Sequence, residues 1–191
     1  AMVVYDEVHC LPADTYSTLA HIDATYSMGL SASPYREDGR RTLIFALTGY
    51  PVFLDWATYF RYMPERRPHV QIKVISDISD KQYSIAETTW ECDKRNERCI
   101  IFVEHLAYGE EVARRLSHTD CRPVPFVHSN SEDGYNVLRR AKLVVATRVA
   151  DEGITSNFDV AVIAEACGDS RRQEIQRVGR IMSYGNRVLV V

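Results

Sequence analysis

Nowhere in the 191 residues is there a G-x-x-x-x-G-K-[ST] run, the glycine-rich turn whose amides and lysine cradle nucleotide phosphates. There is no C-x-x-C pair either. The five cysteines, Cys10, Cys92, Cys99, Cys121 and Cys167, are odd in number and scattered, which disfavours a disulfide framework and a zinc site and marks them as reduced packing residues. No apolar run is long enough to cross a bilayer, so no membrane is expected as a partner. The opening Ala1-Met2-Val3-Val4 lacks a positive flank and a small-residue cleavage pattern, and it reads as a buried strand, not a signal peptide. Internal repeats and low-complexity tracts are missing too. A net charge of −3 argues against a generally basic nucleic-acid coat, though a few local donors can still hold phosphates. A cytosolic or nuclear setting follows.

What is present is 46% apolar residues, enough for one substantial core or two small ones. Apolar runs at 3–5, 26–30, 52–54, 70–75, 99–103, 143–146, 159–164 and 187–191 are predicted strands. Several are too continuous for a sheet with one wet face. Together with the amphipathic stretches between them they predict an α/β fold, parallel sheets flanked by helices, which binds ligands beyond the carboxyl ends of its strands. One helix is expected from a capping box at Ser79-Asp80-Lys81-Gln82, with Tyr83, Ala86 and Trp90 on one face. Val112, Ala113 and Leu116 mark a second behind Gly109. Ile175, Val178 and Met182 mark a third, whose polar face carries Gln173, Gln176, Arg177 and Arg180. Between Trp56 and His69 periodicity fails and prolines and arginines gather. This gives two lobes, 1–60 and 70–191, with 61–69 as linker.

The chemistry concentrates in Val3-Val4-Tyr5-Asp6-Glu7-Val8-His9, an apolar strand that delivers two carboxylates at its carboxyl end. Taken alone, adjacent carboxylates are as often a solvated pair, and a lone histidine more often packs or caps. After such a strand, one carboxylate can hold Mg²⁺ while its neighbour orients a water, as in-line attack on a γ-phosphate requires. A second strand runs into Gly29-Leu30-Ser31-Ala32-Ser33, where Ser31 and Ser33 can hydrogen-bond His9 across neighbouring strand ends; the bland alternative is a capped strand-to-helix turn.

Asp6-Glu7-Val8-His9, Gly29 to Ser33 and Arg36-Glu37-Asp38-Gly39, in this order, resemble superfamily 2 helicases, and the Arg-Glu-Asp tripeptide resembles the XPB family. Cys99 to Glu104 resembles the strand opening the second RecA-like lobe, Val144 to Ile154 resembles motif V, and Gln176-Arg177-Val178-Gly179-Arg180 resembles motif VI. The resemblance implies two RecA-like lobes, the first truncated, in an ATP-dependent 3′ to 5′ DNA helicase or translocase. It assigns Mg²⁺ to Asp6, the catalytic base to Glu7, and coupling of nucleotide to DNA to His9, Ser31 and Ser33. Arg177 and Arg180 would reach the triphosphate, Arg180 as the arginine finger. Gln176, Asp151, Glu152 and Gly153 would contact the nucleotide, and Thr147 would offer its hydroxyl and backbone N–H to a DNA phosphate. Arg36 would be a DNA contact, although a salt bridge explains it nearly as well. ATP, Mg²⁺ and DNA are the implied ligands, with a nuclease partner in archaea or a TFIIH-like assembly in eukaryotes; the setting would be cytoplasmic or nuclear accordingly.

The chain departs from that pattern in several places. Without the phosphate loop it is expected to be a piece of a longer helicase and to hydrolyse ATP poorly alone. Ser183 stands where an arginine is expected, and the intervals His128 to Ala146 and Ser33 to Cys99 are short. A different class remains open, a non-catalytic helicase-like module that binds DNA or protein, as does an RNA-directed motor.

Overall fold

The computed structural model describes residues 1–31, 38–52, 56–64, 69–150, 158–165, 177 and 187–191; of Trp56, Tyr59, Phe60, Asp120 and Arg148 it describes only the backbone. Two compact units divide the chain, residues 1–56 and 57–191.

In the first unit, β1 (Met2–Tyr5) and β2 (Tyr26–Gly29) pair in parallel, Met2 opposite Tyr26 and Tyr5 opposite Gly29. One-turn 3₁₀ segments follow β1 at Val8–Cys10 and Ser17–His21, and α1 spans Arg41–Thr48. Val8, Leu11 and Ile44 form the core here, with Tyr5, Phe45 and Leu47 against it. The expectation of a buried opening strand is corrected: Met2 and Val4 are about half exposed, and Tyr26 and Met28 on β2 are exposed too. Successive strand residues point to opposite faces, and α1 with the 3₁₀ turns packs on the side of Tyr5 and Val8. Val52 is fully exposed and outside any strand, so the expected strand at 52–54 does not begin there; 53 and 54 lie outside the described residues.

The second unit is built on six parallel strands. After α2 (Trp56–Tyr62) come β3 (His69–Ile72), α3 (Ile78–Arg95), β4 (Cys99–Phe102), α4 (Leu106–Asp120), β5 (Phe126–Val127), α5 (Gly134–Arg140), β6 (Leu143–Ala146), β7 (Val160–Ile163) and β8 (Arg187–Val190). Their order across the sheet is β3-β8-β7-β4-β6-β5. β4 and β7, at the centre, are buried along their whole length, which is why they read as uninterrupted apolar runs. Ile101, Val103, Val145 and Val162 pack with Ile85, Val112 and Leu116 on one face. Ile100, Phe102, Val144 and Ile163 pack with Leu138 and Phe158 on the other. Among the described residues no helix is long and apolar enough to cross a membrane.

Helix α3 exists where the sequence predicts a helix but turns differently. Its N-cap is Asp77, whose Oδ1 accepts from Ser79 N at 2.6 Å and Asp80 N at 3.4 Å, and not the Ser79 box. Those two amides and the Ser79 side chain hold the Asp77 carboxyl below its ordinary range. The buried face carries Ser84, Ile85, Thr89 and Cys92, while Tyr83 is 71% and Trp90 56% exposed. Small and β-branched side chains let the helix approach the sheet; the bulky aromatics sit outside, Trp90 under the ammonium of Lys94. In α4 the expected face is the observed one, Val112, Ala113 and Leu116 all being buried. Gly109 lies inside α4, not before it: a Cβ there would collide with the Phe126 ring. β5 lies outside the strands the sequence predicts and is only two residues long. The third expected helix falls outside the described residues except Arg177, which is helical. Cys92 and Cys99 are packing residues as expected, whereas Cys121 is exposed, closing α4 with a left-handed backbone.

Candidate nucleotide and nucleic-acid site

Chain direction puts Asp6 and Glu7 immediately past the carboxyl end of β1, on the side where parallel sheets take ligands. Asp6 is exposed and its Oδ1 accepts from Glu7 N at 2.9 Å. Glu7 adopts a left-handed backbone, φ 48° and ψ 48°, an unfavourable conformation for a residue with a Cβ. That turn swings the chain into the Val8–Cys10 segment and brings its own side chain back over His9. The contact is Glu7 Oε2 to His9 Nδ1 at 3.2 Å, with the Glu7 side chain 47% exposed and that of His9 only 1%.

His9 Nδ1 also lies 2.9 Å from Ser31 Oγ. The two are brought together by backbone pairing at the strand ends: Leu30 N donates to Tyr5 O at 2.8 Å and Val8 N donates to Leu30 O at 2.9 Å. Gly29 makes the approach possible, since a Cβ there would stand 2.8 to 2.9 Å from the Val8 side chain. Sequence reasoning named His9 and Ser31, and the structure joins them. Ser33 and Arg36 lie outside the described residues. Asp6 suits Mg²⁺, which takes one or two carboxylates and completes its octahedron with water and phosphate oxygens; the exposed carboxylate leaves room for those.

In the second unit Thr147 follows β6 and is 8% exposed. Its N–H donates to Val127 O at 3.0 Å and its carbonyl accepts from Ala150 N at 3.1 Å. The expectation that this N–H is offered to a DNA phosphate is therefore corrected: the sheet uses it. Asp151, Glu152, Gly153, Gln176 and Arg180 lie outside the described residues.

Arg177 also differs from expectation. It does not project from a polar face but is 0% exposed within the second unit. Its guanidinium donates to Glu104 Oε2 at 3.1 Å and to the Glu165 carbonyl at 3.2 Å, and its Cζ lies 5.2 Å from the centre of the Phe102 ring. A cation taken from water must be repaid by such partners, which explains the inward turn. Glu165 in turn accepts from Glu104 N at 2.7 Å and His105 N at 2.9 Å, and its Oε1 lies 3.0 Å from His105 Nδ1. Burial pushes the Glu165 carboxyl up, but the His105 amide and ring and the Glu104 amide outweigh it and hold it below its usual range. Sequence reasoning gave Glu104 and Glu165 no role. The signal was present: each stands two residues past a central strand, β4 and β7, which pair Phe102 to Ile163. A cavity of about 560 Å³ lies elsewhere, at the amino ends of β4 and β6, lined by Cys92, Cys99 and Leu143 among others. The carboxylates and Arg177 are at the opposite edge.

No family model matches the sequence. Among curated proteins, the chain is 44% identical over 208 residues to the DNA 3′-5′ helicase XPB of Kineococcus radiotolerans, covering 95% of this chain and 37% of that protein. It is 42% identical over 225 residues to the DNA 3′-5′ helicase XPB of Mycobacterium tuberculosis, covering 95% and 37%. To the protein of Halobacterium salinarum named for the DNA 3′-5′ helicase Rad25 it is 31% identical over 218 residues, covering 99% and 35%. The chain thus spans little more than a third of the length of these relatives. Among solved structures, S. cerevisiae Dbp5 bound to RNA and ADP BeF3 superposes with a TM-score of 0.74 at 15% identity, covering 100% of this chain and 53% of that one. Mycobacterium smegmatis Lhr, bound to ssDNA and AMP-PNP, gives 0.65 at 18% identity, covering 99% and 28%. These similarities show a fold, that of RecA-like helicase domains with a parallel sheet between helices. The order of motifs and the 31–44% identity over nearly the whole of this chain make it similar to the DNA 3′-5′ helicases named XPB and Rad25.

Proposed function

We propose that this chain is motor machinery of an ATP-dependent DNA helicase or translocase with 3′ to 5′ polarity, acting in nucleotide excision repair or transcription. The observation that carries the reading is the triad at the end of β1: an exposed Asp6, a Glu7 held in a left-handed turn, and a buried His9 bridging Glu7 to Ser31 at 3.2 and 2.9 Å. In this reading Asp6 holds Mg²⁺, which when bound neutralises charge on the phosphoryl oxygens. Glu7 accepts the proton of the attacking water. His9 carries displacement of Glu7 to Ser31, and with Ser33 and Arg36 to the DNA backbone, so that the nucleotide state alters the grip on the strand. Arg180 supplies the guanidinium that stabilises the transferring phosphoryl group, with Gln176, Asp151, Glu152 and Gly153 on the nucleotide and the Thr147 hydroxyl, not its N–H, at the DNA. In this reading the phosphate loop that the 191 residues lack comes from the rest of a longer helicase or from a partner chain. A nuclease or a TFIIH-like assembly is the partner class, in the cytoplasm or the nucleus according to the host.

The test is ATP hydrolysis by the intact gene product, with and without DNA. DNA-stimulated hydrolysis is expected, reduced about 10²- to 10⁴-fold in Glu7→Gln, the range for losing a general base. Hydrolysis undiminished in Glu7→Gln overturns the assignment. A second reading, a helicase-like module that binds DNA or protein without hydrolysis, is favoured by the missing loop; DNA binding with no ATP turnover in the intact protein would establish it. Stimulation by RNA in place of DNA would point to an RNA motor.

A further inference from the structure

We propose that Glu104 is a positioning residue for nucleotide hydrolysis, acting through Arg177, with Glu165 setting the position of Glu104. This rests on the reading of the chain as an ATP-dependent motor. β4 and β7 are adjacent and parallel, paired Phe102 to Ile163, and Ala164 N donates to Phe102 O at 2.9 Å. Two residues past those strands, Glu104 and Glu165 therefore stand side by side at the carboxyl edge of the sheet. Two neighbouring carboxylates repel each other unless each is neutralised, and here they are neutralised differently. Glu165 spends its oxygens on the backbone amides of Glu104 and His105 and on the His105 ring, at 2.7, 2.9 and 3.0 Å. That fixes the backbone from which the Glu104 side chain springs. Glu104 Oε2 is then left to take the Arg177 guanidinium at 3.1 Å.

The guanidinium is held from three sides by groups at the ends of two strands: the Glu104 carboxylate, the Glu165 carbonyl and the Phe102 ring. An arginine 0% exposed and so enclosed does not reach solvent. What it fixes is its own backbone, inside the Gln176-Arg177-Val178-Gly179-Arg180 run that the functional reading places at the triphosphate. A planar fork bonded to fixed acceptors sets both the distance and the rotation of Arg177 against the sheet, where a lysine would set only distance. Misplacement of about 1 Å at a reacting group can cost about 100-fold in rate. The Glu104–Arg177 pair is thus a lever on turnover and not on nucleotide affinity.

The experiment measures kcat and KM for ATP in the intact gene product with DNA, together with thermal unfolding. The variants are Glu7→Gln, Glu104→Gln, Glu104→Asp, Arg177→Lys and the Glu104→Gln/Arg177→Lys pair. Expected are a kcat about 10- to 100-fold lower in Glu104→Gln, with KM within about twofold, and recovery of most of the rate in Glu104→Asp. Arg177→Lys is expected to lose a similar factor, and the double variant no more than the worse single one. A folded Glu104→Gln protein with wild-type kcat overturns the proposal, as does a double variant whose losses multiply; if Glu104→Gln does not fold, Arg177→Lys at wild-type kcat does so. Should Glu7→Gln abolish turnover while these variants leave it unchanged, the positioning role alone has failed. Should the wild type hydrolyse no ATP, or Glu7→Gln leave hydrolysis intact, the functional reading has failed and this inference falls with it.

Discussion

His9 and Ser31, 22 residues apart in the chain, meet through Nδ1 and Oγ at 2.9 Å because β1 and β2 run parallel and end level with each other. The same Nδ1 lies 3.2 Å from Glu7 Oε2, so one buried ring joins a half-buried carboxylate to the neighbouring strand. Ser31→Ala removes a partner from a ring that is only 1% exposed, and is expected to cost about 1 kcal/mol, the usual net worth of a hydrogen bond. Denaturant unfolding of the wild type and the variant measures it. Under the proposed function the same substitution uncouples DNA stimulation from hydrolysis more than it lowers basal turnover.

Gly29 is demanded by contact and not by backbone conformation. A methyl group there meets the Val8 side chain at 2.8 to 2.9 Å, and Val8 is buried in the core of the first unit. Gly29→Ala is expected to destabilise by about 1–3 kcal/mol, the range for overpacking, unless Val8 is shortened with it. Gly29→Ala/Val8→Ala should recover part of the loss relative to the sum of the single changes. Unfolding midpoints of the four proteins decide the point.

Glu165 gives a pH dependence whose sign is fixed by its hydrogen bonds. Its folded-state carboxyl is held below the unfolded-state range of about 4.3. The stability it contributes is therefore complete above that value and is lost as pH falls through the lower folded value. Thermal unfolding followed from about pH 7 to about pH 3 should show a fall on the acid side that is shallower in Glu165→Gln. An acid limb unchanged by that substitution would contradict the role of the His105 and Glu104 donors.

Much of this protein could be read from residue order. The strands at 99–102, 143–146, 160–163 and 187–190 were legible because a parallel sheet covered on both faces requires unbroken apolar runs. Asp6, Glu7 and His9 stood out because a strand ended on them, and Ser31 because a second strand ended near it. Orientation was harder. Tyr83 and Trp90 share a helical face with Ala86 just as the buried residues share theirs, and periodicity alone does not say which stripe meets the sheet; that was decided by how closely α3 packs. The N-cap is Asp77 and not Ser79 because the Asp77 carboxylate takes the Ser79 and Asp80 amides, which starts the helix two residues earlier.

The sequence by itself determined the alternation of strand and helix, the carboxylates at the end of β1 and the likeness to the XPB and Rad25 helicases. These depend on local pattern and on order along the chain. Only the tertiary structure decided that Thr147 spends its N–H on Val127, that Met2 and Val4 are exposed, and that Arg177 turns inward to Glu104, 73 residues before it in the chain. The physical reason is that a polar group's partner is set by which strand ends lie side by side, and strand order across a sheet is not written in any short run of residues.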